Sequence, residues 1–325
     1  VMKVVVTGAS GFTGSHLVKR LCQDGAEVVA LVRPSSNVAP LAGYPVQWVY
    51  GDIADRAVLA QAMQGVDLVF HTAAYVELGL VDGALMERVN VEGTRAILET
   101  MRSLNIPKLV YCSTIGIFGD TQGRVVDETF QRQQQDFSSA YDRTKYLAQQ
   151  LVDQAAAAGQ WAVSVLPSGI FGADDPHFGP VLKTFLRGKL KLWAGGQRIT
   201  GIVHVDDLVE AMLLAASNGR SGEHYIISAG ELTTHEMFEL VGKATGIPAP
   251  TEAPEALVRL LGNLLDPVGR FLRWQPPLSR ERVHYVYDRC VRVDATKARQ
   301  DLGWQPRSPE TVLTEIAQTL KTSLF

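Results

Sequence analysis

Tyr141 and Lys145 stand four residues apart at the start of a predicted helix, Ser139–Ala158, so both lie on one helical face. An ammonium beside a phenol lowers the phenol's pKa, which lets the tyrosine give or take a proton near neutral pH. Such a pair is common on surface helices, and its position is what gives it weight. The helix follows a predicted strand, Lys108–Ser113, in the run Val110-Tyr111-Cys112-Ser113-Thr114. The hydroxyls of Ser113 and Thr114 therefore stand at a strand's carboxyl end, where ligands of open α/β sheets bind. A hydroxyl there holds a substrate oxygen while the tyrosine transfers its proton.

A second element of chemistry lies at the N-terminus. The predicted strand Lys3–Thr7 runs into Gly8-Ala9-Ser10-Gly11-Phe12-Thr13-Gly14 and then into a predicted helix, Gly14–Gln23. Glycines let the backbone turn sharply against a pyrophosphate, and free N–H groups at a helix start attract its charge. Gly8, Ser10, Gly11, Phe12, Thr13 and Gly14 are the candidate phosphate cradle, spaced G-x-x-G-x-x-G rather than G-x-G-x-x-G. After the second predicted strand, an acid would bind the ribose diol of NAD, whereas an arginine suits the 2′-phosphate of NADP. The sequence there is Val32-Arg33-Pro34-Ser35-Ser36, which favours NADP(H), with NAD(H) as the alternative. Arg33 and Ser36 are the expected phosphate contacts. Asp52 and Ile53 are placed near the adenine, although Asp52 would equally serve as cap for the helix beginning near Asp55.

The elements that must position these residues alternate. Predicted strands Lys3–Thr7, Glu27–Val32, Val46–Tyr50, Leu68–His71, Lys108–Ser113 and Ala162–Pro167 enclose helices Gly14–Gln23, Arg56–Gln64, Asp82–Leu104 and Ser139–Ala158. The strands are apolar throughout, as a parallel sheet covered on both faces requires. After Pro167 a Gly/Asp/Pro-rich loop begins a mixed region, with a strand at Gly201–Val205, helices at Asp206–Ser217 and Thr233–Gly246, and a strand at His224–Ile227. Glu252–Trp274 reads as a helix pair interrupted at Asp266–Pro267, packed together in preference to forming an apolar lid. Further helices are expected at Asp294–Leu302 and Glu310–Thr322. The division expected is a dinucleotide domain over 1–170, with a strand and helix returning at about 200–230, and a mainly substrate-binding region over 171–325.

The chain has 325 residues, 46% hydrophobic, with a net charge of −3. That balance gives no electrostatic case for nucleic acid or an anionic membrane. No run of about 20 uncharged apolar residues exists, so neither a membrane span nor a signal peptide is expected. Three scattered cysteines, Cys22, Cys112 and Cys290, with no CxxC spacing, fit a reducing cytoplasm and no metal site. His71 and His204, at strand ends, read as satisfied structural side chains.

The pieces TGASGFTG (7–14), GDI (51–53), HTAA (71–74), VNVEGT (89–94), VYCSTIGIFG (110–119), YDRTK (141–145), LPSGIFG (166–172) and HVDD (204–207) occur in order. Together they resemble the extended short-chain dehydrogenases/reductases, including epimerase/dehydratase, dihydroflavonol-reductase-like, 3β-hydroxysteroid-dehydrogenase-like and hopanoid-associated sugar-epimerase-like proteins. The resemblance implies a Rossmann doubly wound sheet with a smaller C-terminal α/β substrate region. It implies that Lys145 also bonds the nicotinamide ribose. Thr72, Ala73 and Ala74 would run along the cofactor, and Pro167, Ser168 and Ile170 would line the nicotinamide pocket. Thr114 would be the substrate-holding hydroxyl, with Ser113 one position earlier. Asn90 matches a family asparagine, with helix packing equally open as its role. Glu77 and His177 are candidate substrate contacts. The family also implies a homodimer through Asp82–Leu104 and Ser139–Ala158. The function expected is NADP(H)-dependent hydride transfer on a carbonyl or secondary alcohol. Nucleotide-sugar epimerisation or dehydration is the alternative, and a non-catalytic dinucleotide sensor the lesser one. The segment before His204 lacks the Arg-Asp-Phe usual in sugar-nucleotide enzymes, with Arg198 shifted.

Overall fold

Val4 and Val6 face one side of the central sheet and Val5 faces the other, and all three are fully buried. That alternation within an all-apolar strand is the signature of a sheet covered on both faces. The structure, a computed structural model, describes residues 1–324. Its main sheet has seven parallel strands in the order Val46–Tyr50, Glu27–Val32, Lys3–Thr7, Leu68–His71, Lys108–Cys112, Trp161–Pro167 and His224–Ile227. The strand order reverses between Lys3–Thr7 and Leu68–His71, and the crevice opens outside their carboxyl ends.

On one face, Leu17 of the helix Phe12–Gln23 and Leu208 and Met212 of Val205–Asn218 pack with Val4 and Val6. On the other, Leu59, Ile97 and Ala148 come from Arg56–Ala62, Gly93–Leu104 and Ala140–Ala157. Two of these helix starts are capped by side chains. Asp55 accepts from the Ala57 and Val58 amides, and Ser139 accepts from the Asp142 amide. Asp52 accepts from Ala54 N at 2.7 Å, so it tightens the turn, and capping falls to Asp55.

A three-stranded sheet of Gly230–Thr233, Ile199–His204 and Gly169–Phe171 forms the smaller region, covered by Gly179–Leu186, Thr234–Thr245 and Pro309–Leu324. The tail first returns to the main sheet. Ala298, Leu302 and Trp304 are buried in its core, and Trp304 Nε1 donates to Asp207 O at 2.8 Å.

Two helices differ from the sequence reading. Asp82–Leu104 is helical from Gly83 to Leu104, but a π-helical turn occupies Arg88–Glu92 and places Asn90 in a local widening. Glu252–Trp274 is not an interrupted pair. It is one helix, Glu255–Leu272, that runs through Pro267. The buried Asp266 accepts from Arg270 Nε at 2.8 Å and from Arg280 N at 3.3 Å, which anchors the chain at the proline. Nor does the helix pack its apolar stripe, which is exposed.

Candidate active site

The glycine loop closes tightly. Gly11 N donates to Gly8 O at 2.9 Å, and Gly8 has a φ of +67°, a left-handed conformation that glycine adopts without strain. A Cβ on Gly14 would overlap the Gly8 carbonyl, so only glycine lets the helix start against the loop. Gly11 caps the helix Phe12–Gln23 without a side-chain bond, and the first turn holds no acid. The uncapped N–H groups and the positive end of the helix dipole fit a pyrophosphate.

Behind the loop runs a chain of hydrogen bonds that sequence reasoning reduced to a satisfied His71. The Ala73 amide donates to Thr7 Oγ1 at 3.3 Å, and Thr7 Oγ1 lies 2.8 Å from His71 Nδ1. His71 Nε2 lies 2.8 Å from Thr94 Oγ1, which donates to Asn90 O at 2.8 Å. Because the Thr94 hydroxyl donates to a carbonyl, it accepts from Nε2–H, and Nδ1 accepts from Thr7. Burial, with Lys145 adding to it, lowers the His71 pKa to about 3, so the ring stays neutral and the order of donors is fixed. Thr72 Oγ1 donates to Thr7 O at 2.7 Å, and its hydroxyl is thereby spent on backbone. Ala73 lies against Gly8, and Ala74 follows in the same half-buried segment.

Asn90 is only 2% exposed and holds three partners. Its Oδ1 accepts from Tyr75 N at 2.7 Å, and its Nδ2 donates to Tyr75 O at 3.1 Å and Thr144 Oγ1 at 2.9 Å. It ties the segment after His71 to the helix that carries Tyr141 and Lys145, and its polar atoms are committed to protein.

Tyr141 sits in the first turn of Ala140–Ala157 and Lys145 one turn on. Thr114 ends the strand side of the crevice, where its hydroxyl accepts from Gly116 N at 3.1 Å and lowers the Tyr141 pKa. Ser113 is buried, and its Oγ has no partner among the described residues. The same holds for Ser168 Oγ, next to Pro167 in the chain and packed against Gly201.

Lys145 Nζ donates to Cys112 O at 2.8 Å and lies 4.4 Å from the centroid of the Tyr111 ring. Burial, joined by Cys112 and Asp142, raises the Tyr141 pKa above its ordinary value, while Thr114 and then Arg289 oppose the rise. Arg289 is the weaker of these two opposing influences. It pairs with the buried Asp142 at 3.1 Å and lies 4.3 Å from the Tyr285 ring centroid, and Tyr285 Oη meets Ser139 Oγ at 3.1 Å. This network escaped sequence reasoning because Tyr285 and Arg289 stand on and just after a polar helix, Arg280–Tyr287, that has no clear apolar period. Arg198 lies in the same neighbourhood. Burial and Arg289 lower its pKa, and it has no carboxylate partner among the described residues.

The remaining candidates lie further out. Arg33 is exposed at the end of the second strand, beside the glycine loop, with no ion pair among the described residues, and Ser36 N turns back to Arg33 O at 3.0 Å. Asp52 Oδ2 accepts from Arg88 Nε at 3.0 Å, and Ile53 is buried against Gly93. Glu77 Oε1 accepts from Leu78 N and Arg282, each at 3.2 Å. His177 is exposed in the loop after Phe171, with its amide bonded to Asp175 at 2.8 Å. No helix among the described residues is long and apolar enough to cross a membrane.

Comparison with known proteins agrees with this geometry. The model of the NAD dependent epimerase/dehydratase family matches residues 4–228. A 4-hydroxy-2-methyl-3-oxo-4-farnesyl-3,4-dihydroquinoline-1-oxide ketoreductase of Stigmatella aurantiaca is 34% identical, over 94% of this chain and 92% of its own. Sterol demethylase protein B of Methylococcus capsulatus is 30% identical over 94% of both chains. The crystal structure of a Thermotoga maritima UDP-glucose 4-epimerase with UDP-glucose covers 100% of both chains with a TM-score of 0.81, at 24% identity, a likeness of fold. A glycine-loop sheet with Tyr141 and Lys145 at its carboxyl edge, matched over most of its length, belongs to the NAD-dependent epimerase/dehydratase family of extended short-chain dehydrogenases/reductases.

Proposed function

We propose that the protein is an NADP(H)-dependent oxidoreductase that interconverts a ketone and a secondary alcohol on a moderately apolar substrate. The observation that carries this reading is the meeting of Tyr141, Lys145 and Thr114 at the carboxyl edge of a sheet whose glycine loop fits a pyrophosphate. When bound, the dinucleotide supplies or accepts the hydride. In reduction, the substrate carbonyl oxygen accepts hydrogen bonds from the Thr114 and Tyr141 hydroxyls, and Tyr141 Oη gives it a proton. Burial keeps the phenol protonated, which suits the acid role. The phenolate left behind is stabilised by Thr114 and Arg289, with Lys145 one turn along the same helix. Pro167, Ser168 and Ile170 form the opposite wall, and Ser113 supports Thr114. Glu77 and His177 reach the substrate from the rim.

NADP(H) is favoured over NAD(H) by the exposed, unpaired Arg33 where an acid would bind the ribose diol. Ser36 adds a hydroxyl, and Asp52 and Ile53 border the adenine side. An apolar substrate is favoured by the two relatives, whose names specify a farnesyl-bearing ketone and a sterol. The test is consumption of NADPH with a panel of apolar ketones, with product identified as the alcohol.

Arg198 supports a second reading. With Arg289 beside it and no acid to neutralise it, it offers a buried cationic spot for a nucleotide diphosphate, as an epimerase or dehydratase requires. Interconversion of a nucleotide-sugar pair without net change in NADPH would establish that reading instead.

The assembly proposed is a homodimer across the helices Gly93–Leu104 and Ala140–Ala157, whose outer faces leave a depression lined by Leu98, Arg102, Leu151 and Ala155. A monomer by light scattering would exclude it. The three free cysteines accord with a reducing cytoplasm.

A further inference from the structure

More than half of the large exposed apolar side chains among the described residues lie between Leu257 and Trp274. On the helix Glu255–Leu272 they recur at three- and four-residue steps: Leu257, Leu260, Leu264, Val268 and Phe271, continued by Trp274. That is a single stripe along an 18-residue helix about 27 Å long. Monomeric proteins seldom leave a continuous apolar stripe of this length in water. We propose that this helix docks flat on an anionic lipid bilayer, with its apolar face in the headgroup–acyl boundary.

The end of the stripe selects a bilayer over a protein partner. Phe271 is 84% exposed, the extreme, after Val1, among the large apolar residues described. It stands with Leu272 and Trp274 between and beside Arg270 and Arg273, both exposed. From Leu260 to Trp274 the acid present is Asp266, which is buried and paired with Arg270. The surface of this half is therefore apolar and basic, without exposed negative charge. Aromatic rings belong at the depth of lipid headgroups, and arginine guanidiniums reach lipid phosphates from there. Arg273 has a φ of 51°, and this left-handed turn ends the helix and brings Trp274 N back to Gly269 O at 2.9 Å.

The chain just beyond the docking face contacts the segment that follows His71. Gln275 Oε1 accepts from Leu80 N at 2.8 Å, and Glu281 Oε1 accepts from Gly79 N at 2.8 Å. The same strand of chain begins at Tyr75, held by Asn90 behind the catalytic helix. An apolar molecule leaving the bilayer near Trp274 meets this segment at the mouth of the site.

The test is cosedimentation of the intact protein with phosphatidylcholine vesicles and with mixed phosphatidylcholine–phosphatidylglycerol vesicles. The mixed vesicles should bind it more tightly. Leu264→Ser with Phe271→Ser should weaken that binding at least about tenfold, because each loses the burial of a large apolar side chain. Arg270→Gln with Arg273→Gln should weaken binding to mixed vesicles and leave binding to phosphatidylcholine unchanged. NADPH affinity, read on every variant, reports an intact fold and keeps this test separate from that of the chemistry. Absence of binding to both vesicles would overturn the proposal, as would binding that the Leu264/Phe271 variant leaves unchanged. An assembly in solution that this variant dissociates would also overturn it, by giving the stripe to a second copy of the chain.

Discussion

The ammonium of Lys145 is aimed at the carbonyl oxygen of Cys112, 2.8 Å away, and not at the phenol of Tyr141 one turn earlier. Its pKa is lowered from 10.5 to about 8, first by burial, with Cys112 opposing the shift. A lysine so placed is costly to the fold, and the proposed chemistry gives it a use there. Lys145→Met should raise stability near neutral pH by about 1–3 kcal/mol, while turnover and dinucleotide binding fall. Between pH 8 and 10.5 the unfolded chain holds more protons at this position, so the stability of the unmutated protein should rise with pH there. Chemical denaturation across that range checks both points, and the variant should lack the rise.

His71 fixes the direction of the hydrogen bonds beneath the glycine loop. Its pKa is about 3 in the folded chain against 6.5 ordinarily, so its contribution is complete above pH 6.5 and is lost as pH falls toward 3. His71→Gln should cost about 2–4 kcal/mol at pH 7 through two broken buried hydrogen bonds. The gap to the unmutated protein should narrow as the pH is lowered to 4. A gap that stays constant would show that the neutral imidazole is not what acid unfolding attacks.

Much of this was legible in the sequence, and the reasons differ by element. The strands Lys3–Thr7, Glu27–Val32, Val46–Tyr50 and Leu68–His71 are short β-branched or apolar runs between turn residues, and they form with those bounds. Gly8 and Gly14 announce their turn because no other residue fits those positions. The helix through Pro267 was not legible, because its continuity depends on Asp266 binding Arg280 N far along the chain. The Asp142–Arg289 pair was hidden for the same reason. Its value is a long-range contact between groups that look like ordinary surface charges in the linear sequence.

Arg33 is exposed and carries no ion pair among the described residues, which leaves its guanidinium to a ligand. Arg33→Ala should weaken NADPH binding about tenfold or more, as loss of charge-assisted hydrogen bonds to a phosphate predicts, and leave NADH binding nearly unchanged. Isothermal titration with both dinucleotides measures it. Equal affinities for the two in the unmutated protein would remove the preference altogether.

The most direct measurement concerns the hydroxyl of Tyr141. On an apolar ketone that the unmutated protein reduces with stoichiometric loss of NADPH, Tyr141→Phe should lower turnover by about 100-fold or more, with NADPH affinity retained. Turnover in Tyr141→Phe equal to that of the unmutated protein would contradict the assignment of Tyr141 as the proton donor.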